Sequence, residues 1–430
     1  MNSTENSINI ERDVNIHLEN RTISRHFFWY LWIMYAIVCM TKNCYGGAMA
    51  SIVEEDVLTK SQTGFISAMF YLTYTPLQIF GGGFCDRYSP EKLIKYSLLG
   101  AAVANAIIYF NHNYYVMLAA WMLNGIVQFA VWPATFKIIS SQLVRSDRKL
   151  MAFYISMSGT GGLVLSYLVA AFVPAWEHNF SLSALLLLGL AIGMHVYDRH
   201  LNRFMKWDYS EHTTEDKQKP VHNVSTWKIM KKSGLIFVLI SIFMFTVVAR
   251  SRESLAPVLF MENYNNVSPA TGNLFNVLMI VVGLVGTLIA RKFIAKTDNE
   301  VWGMILTLVA MLPFLIVCCF VGRLSIYAVL ISLCVVAALQ SMTLLFGNTF
   351  DMTFAKYGKS GAVAGFSNGA RGLSYLASTY LMPLMAEKFG WTVLTSLWPV
   401  FIIAAVVSLC FAVTLFKKFK IFGIESIKDM

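Results

Sequence analysis

Charged side chains are scarce along this 430-residue chain. Asp, Glu, Lys and Arg make up 13% of it, against about 25% in an ordinary soluble domain. Hydrophobic residues make up 57% and the mean hydropathy is +0.58. A soluble fold of this length has no interior large enough for so much apolar surface, whereas lipid receives it. Catalytic signatures are missing as well. There is no His-Glu-x-x-His, no Gly-x-Ser-x-Gly and no cluster of acids inside an apolar stretch, so nothing supports an enzyme. The seven cysteines (Cys39, Cys44, Cys85, Cys318, Cys319, Cys334 and Cys410) are odd in number and lack metal-ligand spacing. They read as small hydrophobes in helices, and neither metal nor cofactor is expected. Residues 1–25 lack an apolar core followed by small residues, so no cleavable signal peptide is expected and the first membrane helix would serve as the targeting signal.

What is present is a series of long apolar runs. Crossing a bilayer core takes about 20 residues of helix. Spans are expected near 27–49, 62–83, 93–112, 114–141, 150–173, 180–198, 234–257, 271–292, 301–321, 325–350, 360–386 and 391–416. The longest polar stretch, 199–233, divides them. The expected organisation is an all-α membrane protein of twelve transmembrane helices in two six-helix bundles. Residues 1–26 form an N-terminal segment, 27–198 the first bundle, 199–233 a linker, 234–416 the second bundle and 417–430 a tail.

Basic residues outnumber acidic ones, 34 to 24, and their placement decides what that means. Twenty-seven of the 34 fall on the side of the membrane that holds the N-terminus and the linker. The opposite loops hold only Lys60, Arg323 and Lys388. By the positive-inside rule the linker side and both termini are cytoplasmic, in an inner or plasma membrane. The excess is therefore a topology signal, and nucleic acid is not an expected partner.

The remaining four cations, Lys42, Arg250, Arg252 and Arg371, lie inside predicted spans. A charge at the bilayer centre costs about 2.5–3.5 kcal/mol on insertion scales, so such residues face a cavity or carry a function. Lys42, 15 residues beyond Phe27, and Arg250, 16 beyond Gly234, sit at nearly equal depth in spans one and seven, about 22–24 Å along each helix. Arg371 is near the midplane of span eleven. Glu253 is the one clear acid at this depth and lies about 60° from Arg250 on the helix surface, where the two can pair. Arg252 lies about 200° from Arg250 and faces elsewhere. Four cations against one acid call for an anionic ligand. Tyr74, Gln78, Asn124, Gln128 and Trp132 can add donors or stacking surface.

Two further patterns support a duplicated carrier. Span five contains Leu165-Ser166-Tyr167-Leu168, then Pro174; span eleven contains Leu373-Ser374-Tyr375-Leu376, then Pro383. These spans are equivalent if six helices are repeated in parallel. The turn after span two reads Gly82-Gly83-Phe84-Cys85-Asp86-Arg87. There Gly82 lets a neighbouring helix approach, Asp86 can face a helix N-terminus and Arg87 can pair with an acid, contacts suited to a gate that opens and closes.

This turn resembles the Gly-x-x-x-Asp-Arg signature of the major facilitator superfamily. Lys42-Asn43, Leu123-Asn124-Gly125…Gln128…Trp132-Pro133, Gly159-Thr160-Gly161-Gly162, Gly361…Gly365-Phe366 and Phe389-Gly390-Trp391 resemble its organophosphate:phosphate antiporter branch, the glycerol-phosphate and hexose-phosphate carriers, from about residue 27 to 416. The resemblance implies the major facilitator fold, alternating access between two six-helix domains and an anion site at their interface. Together with the reading of charge and depth above, the candidate substrate residues are Lys42, Arg250, Arg252, Arg371, Tyr74, Gln78, Gln128 and Trp132, the candidate gate is Gly82, Asp86 and Arg87, and Glu253 is a charge partner.

Thr41, Gln78 and Met157 stand where that branch usually has an arginine, a lysine and a histidine, while Arg371 replaces what is usually a small residue. The expected function is transport of a small organic anion, an organic phosphate ester exchanged for phosphate. The alternatives are a proton-coupled symporter of a carboxylate such as a sugar acid, or a transporter-like sensor that binds without translocating. The expected partners are the substrate anion and the bilayer, with the chain acting as a monomer.

Overall fold

The computed structural model describes residues 15–18, 20–144, 146–173, 175–201, 205–208, 233–294, 300–354 and 360–422. Thirteen long helices and two short strands make up its regular structure. In chain order they are β1 (Asn15–Leu18), α1 (Arg21–Glu54), α2 (Lys60–Arg87), α3 (Pro90–Phe110), α4 (Tyr114–Gln128), α5 (Val131–Ser141), α6 (Arg148–Phe172), α7 (Trp176–Leu201), β2 (Met205–Asp208), α8 (Leu235–Asn263), α9 (Pro269–Ile294), α10 (Glu300–Cys318), α11 (Ile326–Met352), α12 (Ser360–Phe389) and α13 (Trp391–Phe422). The helix starts are legible locally. The side-chain oxygens of Asn20, Ser89, Asn113 and Ser325 each accept a backbone N–H of the first turn, which satisfies donors that a helix end leaves open. Gly234, with φ +75°, opens α8, and a Cβ there would press on the backbone of Ala412 in α13.

The expected fourth span is two helices. α4 ends at Gln128 and α5 begins at Val131, with Pro133 in its first turn. Proline removes a backbone donor and clashes with the carbonyl four residues earlier, here that of Phe129. The two helices still cross as one continuous apolar stretch, Tyr114–Ile139. Among the described residues nine spans are long and apolar enough to cross a membrane. α2, α6 and α12 are not among them; α2 and α12 pack on each other and α6 on α9 between the halves of the molecule.

Packing repeats in the two halves. α1 packs on α6 and α7 as α8 packs on α12 and α13. α3 packs on α4 and α7 as α10 packs on α11 and α13, and α2 packs on α4 as α9 packs on α11. Between the halves, α2 meets α12 and, in the equivalent position, α6 meets α9, with α1 against α8 near the axis. This is the parallel 6+6 arrangement of the major facilitator fold. The cores are apolar, with Trp121, Trp176, Trp398, Phe260 and Phe350 fully buried. Outside, large side chains such as Phe110, Phe172, Leu306 and Tyr327 are exposed, a surface that suits hydrocarbon.

The linker and the N-terminal segment are not simply tails. β1 and β2 pair antiparallel, Asn15 opposite Asp208 and Leu18 opposite Met205. On the same face Asp147, just before α6, receives both arms of Arg21: Nε to Oδ2 at 2.9 Å and Nη2 to Oδ1 at 2.7 Å. Arg25 stands 3.6 Å away. The Arg21 hydrogen bonds hold the Asp147 carboxyl down at about 2, below the usual carboxylate value of about 4. A depressed carboxylate stabilises the fold above its unfolded pKa, and that contribution is lost as pH falls through the folded one. Asp147→Asn is therefore expected to lower the melting temperature at neutral pH. The gap to the native protein should close between about pH 4 and pH 2; a gap that is constant with pH would refute the pairing.

Candidate functional site

Arg250 lies midway along α8 with 7% of its surface exposed. It reaches both halves of the protein. Nη1 donates to Asn43 Oδ1 of α1 at 3.3 Å and to the carboxylate of Glu253, one turn on. Nη2 donates to the Tyr71 hydroxyl of α2 at 2.7 Å. The guanidinium carbon lies 5.4 Å from the Tyr71 ring centre and 5.5 Å from that of Tyr375 in α12, and the two rings meet edge to face at 5.2 Å. Aromatic faces attract a cation, so this enclosure holds the guanidinium in place without neutralising it. Its Nε is buried and has no partner among the described residues.

Glu253 is held from the backbone as well. Its carbonyl accepts from the Tyr167 hydroxyl at 2.9 Å and from Asn276 Nδ2 at 2.6 Å. Tyr167 and Tyr375 are the matching tyrosines of the two Leu-Ser-Tyr-Leu segments. Both end on the same stretch of α8, one on its backbone and one on its arginine.

Lys42 neighbours Asn43 in sequence but points about 100° further round α1. Its ammonium donates to the Tyr74 hydroxyl at 3.2 Å and lies 4.6 Å from that ring and 5.8 Å from the Tyr35 ring. Trp132 of α5 packs on Tyr35 at 4.8 Å, so it supports the lysine from behind. Arg371 extends the site along α12, one turn from Tyr375. Nη1 donates to Asn368 at 2.8 Å and Nη2 to Asn348 of α11 at 2.9 Å, while its Nε is buried without a partner among the described residues. Asp351, the nearby acid, accepts from Ser367 at 2.8 Å.

The structure thus brings Lys42, Tyr74, Arg250, Glu253 and Arg371 to the interface between the halves, with Trp132 at its edge. Two expected residues are elsewhere. Arg252 turns into the interior of the C-terminal half, its Nε on Gln340 of α11 at 3.0 Å, because two helical residues are about 200° of rotation. Gln128 lies inside the N-terminal half with 1% of its surface exposed, bonded to Asn124 at 2.6 Å. Three cations therefore lie at the interface, one fewer than the sequence count, with Glu253 paired to Arg250 and Asp351 near Arg371. Gln78, Gly82, Asp86 and Arg87 lie in α2, but their side chains are outside the described residues. Thr41 turns back on its own helix, donating to the Val38 carbonyl at 2.9 Å. The neutral members Tyr71 and Asn348 carry no individual sequence signal, since polar residues are scattered through these helices.

One end of the interface is closed. Lys60 in the first turn of α2 pairs with Glu262 near the end of α8 at 2.7 Å, and Trp391 Nε1 donates to the same carboxylate at 2.8 Å. The Ser61 N–H donates to Glu387 of α12 at 2.7 Å. Asn273 of α9 donates to the Gly47 carbonyl at 3.1 Å. Gly64 lets α2 lie against the ring of Pro383, 2.6 Å from where a Cβ would be, and a Cβ on Gly372 would collide with Thr75. All these contacts lie at or beyond the middle of the molecule, on the face away from the linker.

Comparison with known proteins follows this geometry. Residues 31–379 match the Major Facilitator Superfamily. The chain is 23% identical over 171 residues to the membrane sensor protein UhpC of Salmonella typhimurium, covering 40% of this chain and 39% of that protein. It is 21% identical over 287 residues to a probable hexose phosphate transport protein of Chlamydia muridarum, covering 61% and 62%. The chain therefore matches about two fifths to three fifths of the length of these relatives. In fold it is similar to a bacterial homolog of the human lysosomal transporter Spinster in an inward-facing, occupied conformation, with a TM-score of 0.75, 13% identity and coverage of 93% and 98%.

Proposed function

Since this chain belongs to the Major Facilitator Superfamily and is a multi-pass membrane protein of that type, we propose that it carries a small organic anion across its membrane by alternating access. The substrate class proposed is an organic phosphate ester exchanged for phosphate. One observation carries the reading: Lys42, Arg250 and Arg371 lie between the halves, with Glu253 paired to Arg250 and Asp351 near Arg371, which leaves cations in excess of carboxylates. Two of the three keep a buried Nε–H with no acceptor among the described residues. An oxyanion bound there would accept those donors, and charge-assisted bonds to arginine are the strong ones.

Arg250 is the pivot of the proposed mechanism because it bonds to α1 and α2 of one half from α8 of the other. An anion that takes its place among Asn43, Tyr71 and Glu253 would alter the contact between the halves directly. With the linker face cytoplasmic, as the basic residues suggest, the closed end is the outer one and the site opens inward. The proposed gate of Gly82, Asp86 and Arg87 would then lie on the open side.

A second reading is supported by the relatives named as sensor proteins: ligand binding without flux. Uptake separates the two. In liposomes the purified protein is expected to accumulate a labelled phosphate ester when preloaded with phosphate, and in detergent the same ester should raise its melting temperature, since a ligand of the folded state stabilises it. A melting shift without uptake would establish the sensor instead. A shift only with sugar acids, accompanied by proton uptake, would establish the carboxylate symporter.

A further inference from the structure

Arg252 is unusual for a different reason from Arg250. It is 6% exposed and lies in the interior of the C-terminal half, between α8, α9 and α11. Its described partners are the Gln340 side-chain oxygen at 3.0 Å and the Met279 sulfur at 3.6 Å. A thioether is a weak acceptor and an amide oxygen carries no net charge. The adjacent acid in sequence, Glu253, is committed to Arg250 on another side of the helix. Among the described residues this guanidinium therefore has no carboxylate in ion-pair contact, Glu253 acting on it only at longer range, and a buried cation without a contacting counter-charge is costly for a fold to hold.

Gln340 supplies an independent observation. It is 5% exposed, and while its oxygen accepts from Arg252, its amide nitrogen is buried with no partner among the described residues. Buried polar groups are almost always bonded. The same two side chains thus present a positive charge with no negative group in contact and a donor without an acceptor. A single small anion between them would answer both. The nearby hydroxyls do not: Thr343 and Thr307 bond to each other at 2.8 Å and to their own helices.

We infer that the C-terminal half holds a small monovalent inorganic anion, of the halide class, between the Arg252 guanidinium and the Gln340 amide. The surroundings select that class. Cys334 and Cys318 lie near the guanidinium, and the core they belong to is apolar, with Leu333, Val336 and Ala337 among its buried members. A phosphate would bring more charge and more oxygens than one guanidinium and one amide can satisfy, whereas a weakly hydrated monovalent ion needs few donors. The site lies on the opposite side of α8 from Arg250. It is therefore separate from the proposed substrate site and does not depend on which organic anion is carried. Its role is charge compensation that keeps α8, α9 and α11 packed.

The test is the melting temperature of the detergent-purified full chain in chloride, bromide, phosphate and gluconate salts at matched ionic strength. The native protein should melt roughly 5 °C higher in saturating chloride or bromide than in gluconate. Arg252→Gln and Gln340→Leu should each abolish most of that shift, and Arg250→Gln should keep it. Leucine fills nearly the volume of glutamine, so Gln340→Leu decides the matter if Arg252→Gln does not fold. Equal melting of the native protein in chloride and gluconate would overturn the inference. So would a halide shift that survives Gln340→Leu, or one that Arg250→Gln removes, which would move the anion to the substrate site.

Discussion

Arg250→Gln is expected to weaken binding of the carried anion by at least about 100-fold and to destabilise the protein, and the two effects have different causes. Binding falls because the charge and the fork that would hold the oxyanion are gone, and truncating one member of a buried charge-assisted pair costs about 2–5 kcal/mol. Stability falls because Glu253 is left in the interface without its guanidinium, a loss on the order of 3 kcal/mol for an uncompensated buried charge. Glu253→Gln in the same chain separates them. The double variant should recover much of the melting temperature, since two neutral amides remain, yet it should still fail to bind. If the double variant regained binding, Arg250 would be structural and the site assignment would be wrong. Calorimetric titration beside a melting curve for the native protein, both single variants and the double variant measures all of this.

The second large effect concerns movement. Gly372→Leu places a branched side chain where α12 crosses α2 against Thr75. Neither helix can move aside without parting the halves on that face. Transport is expected to drop by about 100-fold, while ligand binding survives because the leucine bonds to none of the binding groups. Small residues are what permit two helices to touch so closely in a membrane. Cysteines at Lys60 and Glu262, which are paired in the structure at 2.7 Å, would report the change. They should cross-link readily in an otherwise native chain and poorly with Gly372→Leu. Undiminished uptake together with undiminished cross-linking would show that the α2–α12 contact is not part of the cycle.

These two residues were unequally visible before the fold. Arg250 stands out in the sequence because one charge in an apolar helix is costly enough to need a reason. Gly372 does not, since glycines occur along most of the spans and only the crossing of α2 and α12 distinguishes this one. The same contrast holds across the site. Lys42, Glu253 and Arg371 announce themselves by charge. Tyr71 and Asn348 are neutral polar residues in helices, and what gives them a role is that Arg250 or Arg371 points at them. The α8 rotation shows how far helical geometry alone can go. It turns Arg252 away from Arg250, but Gln340 and Met279 come from helices whose placement depends on the whole bundle. The β1–β2 pairing was not legible either, because four residues on each side of nearly 190 intervening ones carry no local pattern.

By itself the sequence determined that this chain spans a membrane repeatedly and that cations lie inside the spans. These follow from the cost of placing charge or bare backbone in hydrocarbon, which is paid residue by residue and so is written locally. Tertiary structure decided which of those cations meet. It took Arg252 and Gln128 out of the interface, set Arg250 between Asn43, Tyr71 and Tyr375, and closed one end with Lys60 and Glu262. Those outcomes depend on which face each helix turns to its neighbours, and that is settled only when all the helices pack together.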